Sequence, residues 1–158
     1  MDQQPRWLDD EEKQAFYTLM ALIIGVDGSL DRNLLKEAGL SHFAYTVLAR
    51  LSEAPGRSLR MSELASTANG SLSRLSQVVS KLEKQGWVVR GTDPYDGRCT
   101  VATLTDAGYD KVVATAPAHV EHVREVLIDP LSRTQLKQLT VVGQRILRAL
   151  GADNPNLT

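Results

Sequence analysis

Residues 69–90 read NGSLSRLSQVVSKLEKQGWVVR. Leu72, Leu75, Val78, Val79 and Leu82 recur at helical spacing and make one apolar stripe. The opposite face carries Ser73, Arg74, Gln77, Ser80, Lys81 and Lys84, with almost no acid among them. Serine is a mediocre helix former because its hydroxyl competes for backbone groups, so a run of it on one helix needs a reason. Short hydroxyls let a helix backbone approach base edges in a duplex groove. Arginine suits the guanine edge and glutamine the adenine edge, a good bidentate pair giving about 1–3 kcal/mol of discrimination. Lys81 and Lys84, nearer the helix C-terminus, suit phosphates, which set register. Ser71 and Ser76 extend the hydroxyl set, and Glu83 is expected to turn away toward the protein.

A second candidate lies in GTDPYDGRC, where Arg98 follows Asp96 by two residues. An arginine at a hairpin tip can enter the minor groove, where negative potential concentrates. Asp96 would orient it, since a carboxylate paired with arginine limits its rotamers.

These side chains need elements to hold them. The spacing predicts a first helix over about 9–36, with Gly25 and Gly28 as a possible bend, and a second from the N-cap Ser41 to about Leu51. A short third helix fits 61–67, Asn69–Gly70 turns the chain, and Ser71 caps the fourth helix, which stops at Gly86. The β-branched stretches 87–90 and 100–104 read as two strands joined by polar turn chemistry. A fifth helix over about 105–128 is expected to bend or be interrupted at Pro117, and Ser132 with Gln135 forms a capping box for a sixth that Gly151 ends. Only MDQQP and GADNPNLT look loose. The fold class is mainly α: a winged helix-turn-helix with a two-stranded β wing over 56–104, and helical segments 1–55 and 105–158 on either side.

Charge distribution agrees with an anionic partner. The whole chain of 158 residues carries a formal net charge of −1, yet residues 57–98 hold seven basic side chains against four acidic, a local balance of +3. Cys99 is the only cysteine, so no intrachain disulfide forms, and a reducing, cytoplasmic setting is expected. The start MDQQPRWLDDEE is unlike a signal peptide and no apolar run reaches membrane-span length, so no membrane partner is expected. No nucleophile–base–orienter set, phosphate-cradling glycine loop or metal-binding Cys/His spacing occurs, so neither an enzyme nor a cofactor or metal is expected. An alternative is a winged-helix module that binds protein in place of DNA, for which Arg74 and Arg98 would be dispensable.

Three pieces in order carry a family resemblance: Leu82–Glu83–Lys84–Gln85–Gly86 closing a helix, Asp96–Gly97–Arg98 in the wing, and Leu104–Thr105–Asp106–Ala107–Gly108 opening the next helix. Together they resemble the MarR family of bacterial transcriptional regulators, whose signature is Leu-Glu-x-x-Gly, Asp-x-Arg and Leu-Thr-x-x-Gly at this spacing. Gly97 departs from the family, which often has a second arginine there. The resemblance implies an intertwined helical homodimer built from the first, fifth and sixth helices, with two wings on a pseudo-palindromic double-stranded DNA operator. It also implies a repressor that a small, phenolic-type molecule can release. Terminal helices with more apolar surface than one small domain needs point to a dimer independently.

The family's ligand pocket lies between the dimer helices and the DNA-binding lobe, where Phe16, His42, Phe43 and Tyr45 are the candidates. Some relatives sense zinc through histidines near the second and fifth helices; His42, His119 and His122 have permissive spacing, but histidines so placed usually hold no metal. Cys99 beside Arg98 reads as a structural cysteine, although a cationic neighbour can lower a thiol pKa.

Overall fold

The computed structural model of the chain describes residues 5–151. Of the two ends expected to be loose, 1–5 and 151–158, residues 1–4 and 152–158 lie outside the described residues. Helix α1 (Asp10–Ala38) opens on a reciprocal cap in which the Asp9 side chain accepts from the Glu12 N–H and the Glu12 side chain accepts from the Asp9 N–H. It runs through Gly25 and Gly28 without a break, and ends where Gly39 takes φ +67°. Ser41 caps α2 (His42–Glu53), as its position promised.

A tight turn over Pro55–Arg57 leads into β1 (Ser58–Arg60), then α3 (Met61–Thr67), α4 (Leu72–Lys84), β2 (Val88–Thr92) and β3 (Thr100–Leu104). The sheet has three antiparallel strands in the order β1-β3-β2, so the wing hairpin pairs on its outer side with a strand the sequence reading left out. That strand is only three residues long, too short for alternation to show, and its register is set by β3: Ser58 opposite Thr103, Arg60 opposite Val101.

Helix α5 (Asp106–Val123) continues through Pro117 and widens into a π-helical turn over Arg124–Ile128, and α6 (Arg133–Ala149) begins at the Ser132–Gln135 box. Pro117 does not interrupt α5. The carbonyl it leaves unpaired belongs to Val113, which is exposed to water, while Val112 and Thr115 are packed on the inner side.

One core ties α2 to the helix-turn-helix and the sheet. Val47, Leu48 and Leu51 meet Leu64, Leu75, Val79, Val88 and Ala102, all at 0–1% exposure. Leu34 from α1 and Val112 from α5 close it. Apart from Leu34 and the partly buried Ala38, α1 stands outside this core, as does all of α6: α1 buries only Leu30 and Leu34, and α6 buries nothing.

Candidate nucleic-acid interface

Helix α4 has 13 residues and therefore a length of about 20 Å. Its inner face is Leu75, Val79 and Leu82, all buried, with Val78 packed against the core. Leu72, expected in the same stripe, is instead 54% exposed. It sits at the first helical position, where the helix has not yet reached the core. The outer face presents Ser73, Arg74, Gln77, Lys81 and Lys84, all exposed.

The serines divide by their hydrogen bonds. Ser71 Oγ accepts from the Arg74 N–H at 3.2 Å as the N-cap and keeps its own proton to donate outward. Ser73 is exposed, whereas Ser76 and Ser80 are half-buried. Ser80 Oγ–H donates to the Ser76 carbonyl at 2.9 Å and accepts from Arg90 Nη2 at 3.0 Å. Its proton is committed within the protein, and what it offers outward is small size.

Glu83 faces β2. Its carboxylate accepts from the Arg90 N–H at 3.0 Å and from Arg90 Nε at 2.9 Å. The Arg90 side-chain bond holds Glu83 below the usual carboxylate range. Thus the acid of the helix is neutralised on the wing and the outer face stays cationic.

At the wing tip, Asp93 is buried and organises the turn. Its Oδ1 accepts from the N–H groups of Tyr95 (2.8 Å) and Asp96 (3.2 Å), and its Oδ2 accepts from Arg60 Nε. Asp96 in turn accepts from the Arg98 N–H and Nε, leaving the Arg98 side chain 92% exposed. Donation from the Tyr95 main chain to Asp93, and from the Arg98 main chain to Asp96, pushes both carboxyls below their ordinary value. Sequence reasoning passed over the Arg60–Asp93 pair because the two lie 33 residues apart. An aspartate two residues before a tyrosine N–H in a DPYD turn was the available signal.

Cys99 Sγ donates to Asp96 Oδ2 at 3.5 Å, and that bond pushes the thiol pKa up. The neighbouring Arg98 points at Asp96, so it does not activate the thiol.

The three signature pieces have physical roles at the joint between α4, the wing and α5. Gly86 takes φ +74°, letting the Trp87 N–H reach back to the Leu82 carbonyl at 3.1 Å. Thr105 Oγ1–H donates to the Gly86 carbonyl at 2.7 Å while accepting from the Gly108 N–H at 3.0 Å. A Cβ on Gly108 would lie 2.2 Å from the Trp87 carbonyl oxygen, so that position has no room for a side chain.

Of the four residues expected to line a ligand pocket, His42 and Tyr45 both lie against the His119 ring, with centroids 6.0 and 4.6 Å away, while Phe43 and Phe16 lie elsewhere in the protomer. Phe43 is buried against Gly70 and Arg74. The Tyr45 ring packs on His119 with centroids 4.6 Å apart, and His42 Nδ1 meets Asp27 Oδ1 at 2.8 Å. Phe16 lies eleven residues before Asp27, about 16 Å along α1, and is 49% exposed. A cavity of about 310 Å³ opens between α1 and α5, with Asn33, Glu37, Lys111, Thr115 and His119 among its walls. Asn33 Oδ1 and His119 Nδ1 are buried there without a hydrogen-bond partner. Burial, and then the charges of His42 and His122, lower the His119 pKa. Among the described residues no three His, Cys, Asp or Glu side chains gather as a metal site.

Comparison with known proteins accords with this geometry. The model of the MarR family matches residues 38–98. The structure of Sco3205, a MarR family transcriptional regulator from Streptomyces coelicolor in complex with DNA, is 40% identical, with a TM-score of 0.89 over 94% of this chain and 93% of that one. AbsC, a MarR family transcriptional regulator from the same organism, is 33% identical with a TM-score of 0.88 over 94% of this chain and 100% of that one. The Bacillus subtilis (strain 168) uncharacterized HTH-type transcriptional regulator YdcH is 33% identical over 85 residues, which span 52% of this chain and 58% of YdcH. At 40% and 33% identity over 94% of its length to two MarR family transcriptional regulators, the chain belongs to the MarR family of transcriptional regulators.

Proposed function

We propose that the chain is a DNA-binding repressor that acts as a homodimer on a pseudo-palindromic operator in the cytoplasm. One observation carries the reading: an exposed, acid-free face of α4 next to a wing whose tip arginine is fixed at its root and free at its end. Within it, 56–104 is the DNA-facing lobe. Arg74 and Gln77 read base edges in the major groove. Ser71 and Ser73 bond to bases or phosphates, Ser76 and Ser80 permit close approach, and Lys81 and Lys84 contact phosphates. Arg98, oriented by Asp96, enters the minor groove.

Residues 1–55 and 105–158 supply the dimer. Ile23 and Ile24 on α1 are 55% and 70% exposed, and Leu139 and Val142 on α6 are 46% and 53% exposed. Apolar surface left open on both terminal helices favours a second copy as its cover. Paired recognition helices then sit about 34–36 Å apart, or a multiple, to read two half-sites. Among the described residues no helix is long and apolar enough to cross a membrane.

A small-molecule effector is the second part of the proposal, and the cavity between α1 and α5 supports it. Its walls mix polar side chains such as Asn33, Lys111 and Thr115 with apolar ones such as Leu34 and Ala114, which favours an amphipathic ligand. Such a ligand acts by shifting the spacing of the two lobes, without changing the contacting residues.

DNase footprinting on the region upstream of the protein's own gene tests the reading. Two protected half-sites on one face of the duplex are expected, and protection no stronger than on unrelated DNA would refute it.

A further inference from the structure

Five arginines belong to the lobe, and four of them pair with carboxylates: Arg57 with Asp106, Arg60 with Asp93, Arg90 with Glu83 and Arg98 with Asp96. Arg74 is handled differently. Among the described residues no carboxylate pairs with it, and its guanidinium carbon lies 4.1 Å above the centroid of the Phe43 ring. Phe43 is itself 7% exposed, at the start of α2, where the main chain is pinned by the His42 N–H donating to Asp31 Oδ1 at 2.8 Å.

The ring is also braced from the helix-turn-helix turn. A Cβ built on Gly70 would come within 2.4 Å of Phe43 Cζ, so the turn supplies a bare backbone for the ring to rest on. The glycine of Asn69–Gly70 is therefore set by space as well as by turn chemistry. Asn69, not Gly70, takes the positive φ of +54°.

We propose that Phe43 is a positioning residue for DNA recognition: its buried ring fixes the guanidinium of Arg74 through a cation–π contact. The inference rests on the DNA-binding reading of α4 and names how one of its contacts is set. The chemistry explains the choice of an aromatic partner. A carboxylate would occupy two of the five guanidinium donors and cancel the charge, whereas an aromatic face attracts the cation and leaves its N–H edge open for a base or phosphate. Rotamer freedom is then lost in folding and not at the moment of binding.

A double-mutant cycle tests this. The probe is a labelled duplex carrying the best sequence that the wild-type protein selects from a random pool, with a scrambled duplex of equal length as reference. Phe43→Leu removes the ring face; Phe43→Met, which keeps apolar volume beside Gly70, is run in parallel, and circular dichroism confines the comparison to folded variants. Loss of the contact is expected to weaken binding to the selected duplex about two- to fivefold, leave the scrambled duplex unaffected, and add nothing once Arg74→Ala is present. NMR of the Arg74 Nε–H is expected to show a ring-current shift that Phe43→Leu abolishes. Normal loss of binding in Arg74→Ala with an additive further loss from Phe43→Leu, or an unchanged Nε–H resonance, overturns the positioning role alone. Wild-type binding by Arg74→Ala overturns the assignment of Arg74 to DNA, and the positioning role with it.

Discussion

Asp96 grips Arg98 at two points, through the main-chain N–H at 3.2 Å and through Nε at 3.3 Å, both on the same carboxylate oxygen. The other oxygen takes the Cys99 thiol. The arginine is thereby anchored at its root while its end remains in solvent. Charge and orientation are thus separable. Arg98→Ala is expected to weaken binding broadly and reduce the salt slope by about one. Asp96→Ala keeps the cation, so affinity falls with the slope little changed. Fluorescence anisotropy across a salt series distinguishes the two.

The wing also predicts a response to acid. Asp93 and Asp96 both titrate in the fold below their ordinary value of 3.8, chiefly because main-chain N–H groups donate to them. A depressed carboxyl contributes stability that is present above the unfolded value and is lost as pH falls through the folded one. Amide exchange protection at Tyr95, Asp96 and Arg98 should therefore hold on acidification from neutrality and decline only below about pH 4. Loss of protection near neutrality would contradict the network.

Gly108→Ala probes the joint below the wing. The new methyl would meet the Trp87 carbonyl at 2.2 Å, and backbone on both sides cannot give way cheaply. A destabilisation of about 1–3 kcal/mol is expected, the range for forced overpacking, visible as a lower Tm. Asp110→Ala, an exposed site on the same helix, should leave Tm nearly unchanged.

Much of this was legible in the sequence because it is local. Ser41, Ser71, Thr105 and Ser132 all cap the helices they precede. The α4 stripe was legible from Leu75 onward, because period and burial coincide there. What escaped was non-local or context-dependent. Strand β1 exists because β3 lends it a partner, and Arg60 and Asp93 meet only when the lobe closes. That Gly70 and Arg74 flank the Phe43 ring was not legible, because nothing in the order of residues brings them together. Pro117 read as a bend or an interruption, but the helix continues because packing at Val112 and Thr115 outweighs one missing bond.

The dimer is open to a direct challenge. Replacing Ile23 and Ile24 together by Glu places charge on surface that is already exposed in a single protomer, far from the core at Leu34. The variant is expected to stay folded and sediment as a monomer, with affinity for paired half-sites greatly reduced. Sedimentation velocity gives the answer. A wild-type protein that is itself monomeric would contradict the dimer.

The α4 face and the wing tip are proposed to grip duplex DNA together. The sharpest trial is equilibrium binding of the wild type and of the Arg74→Ala/Arg98→Ala double variant to one selected duplex at modest ionic strength. A large loss of affinity in the folded double variant is the expected result. Equal affinity of the two proteins would show that the DNA surface has been placed on the wrong side of the molecule.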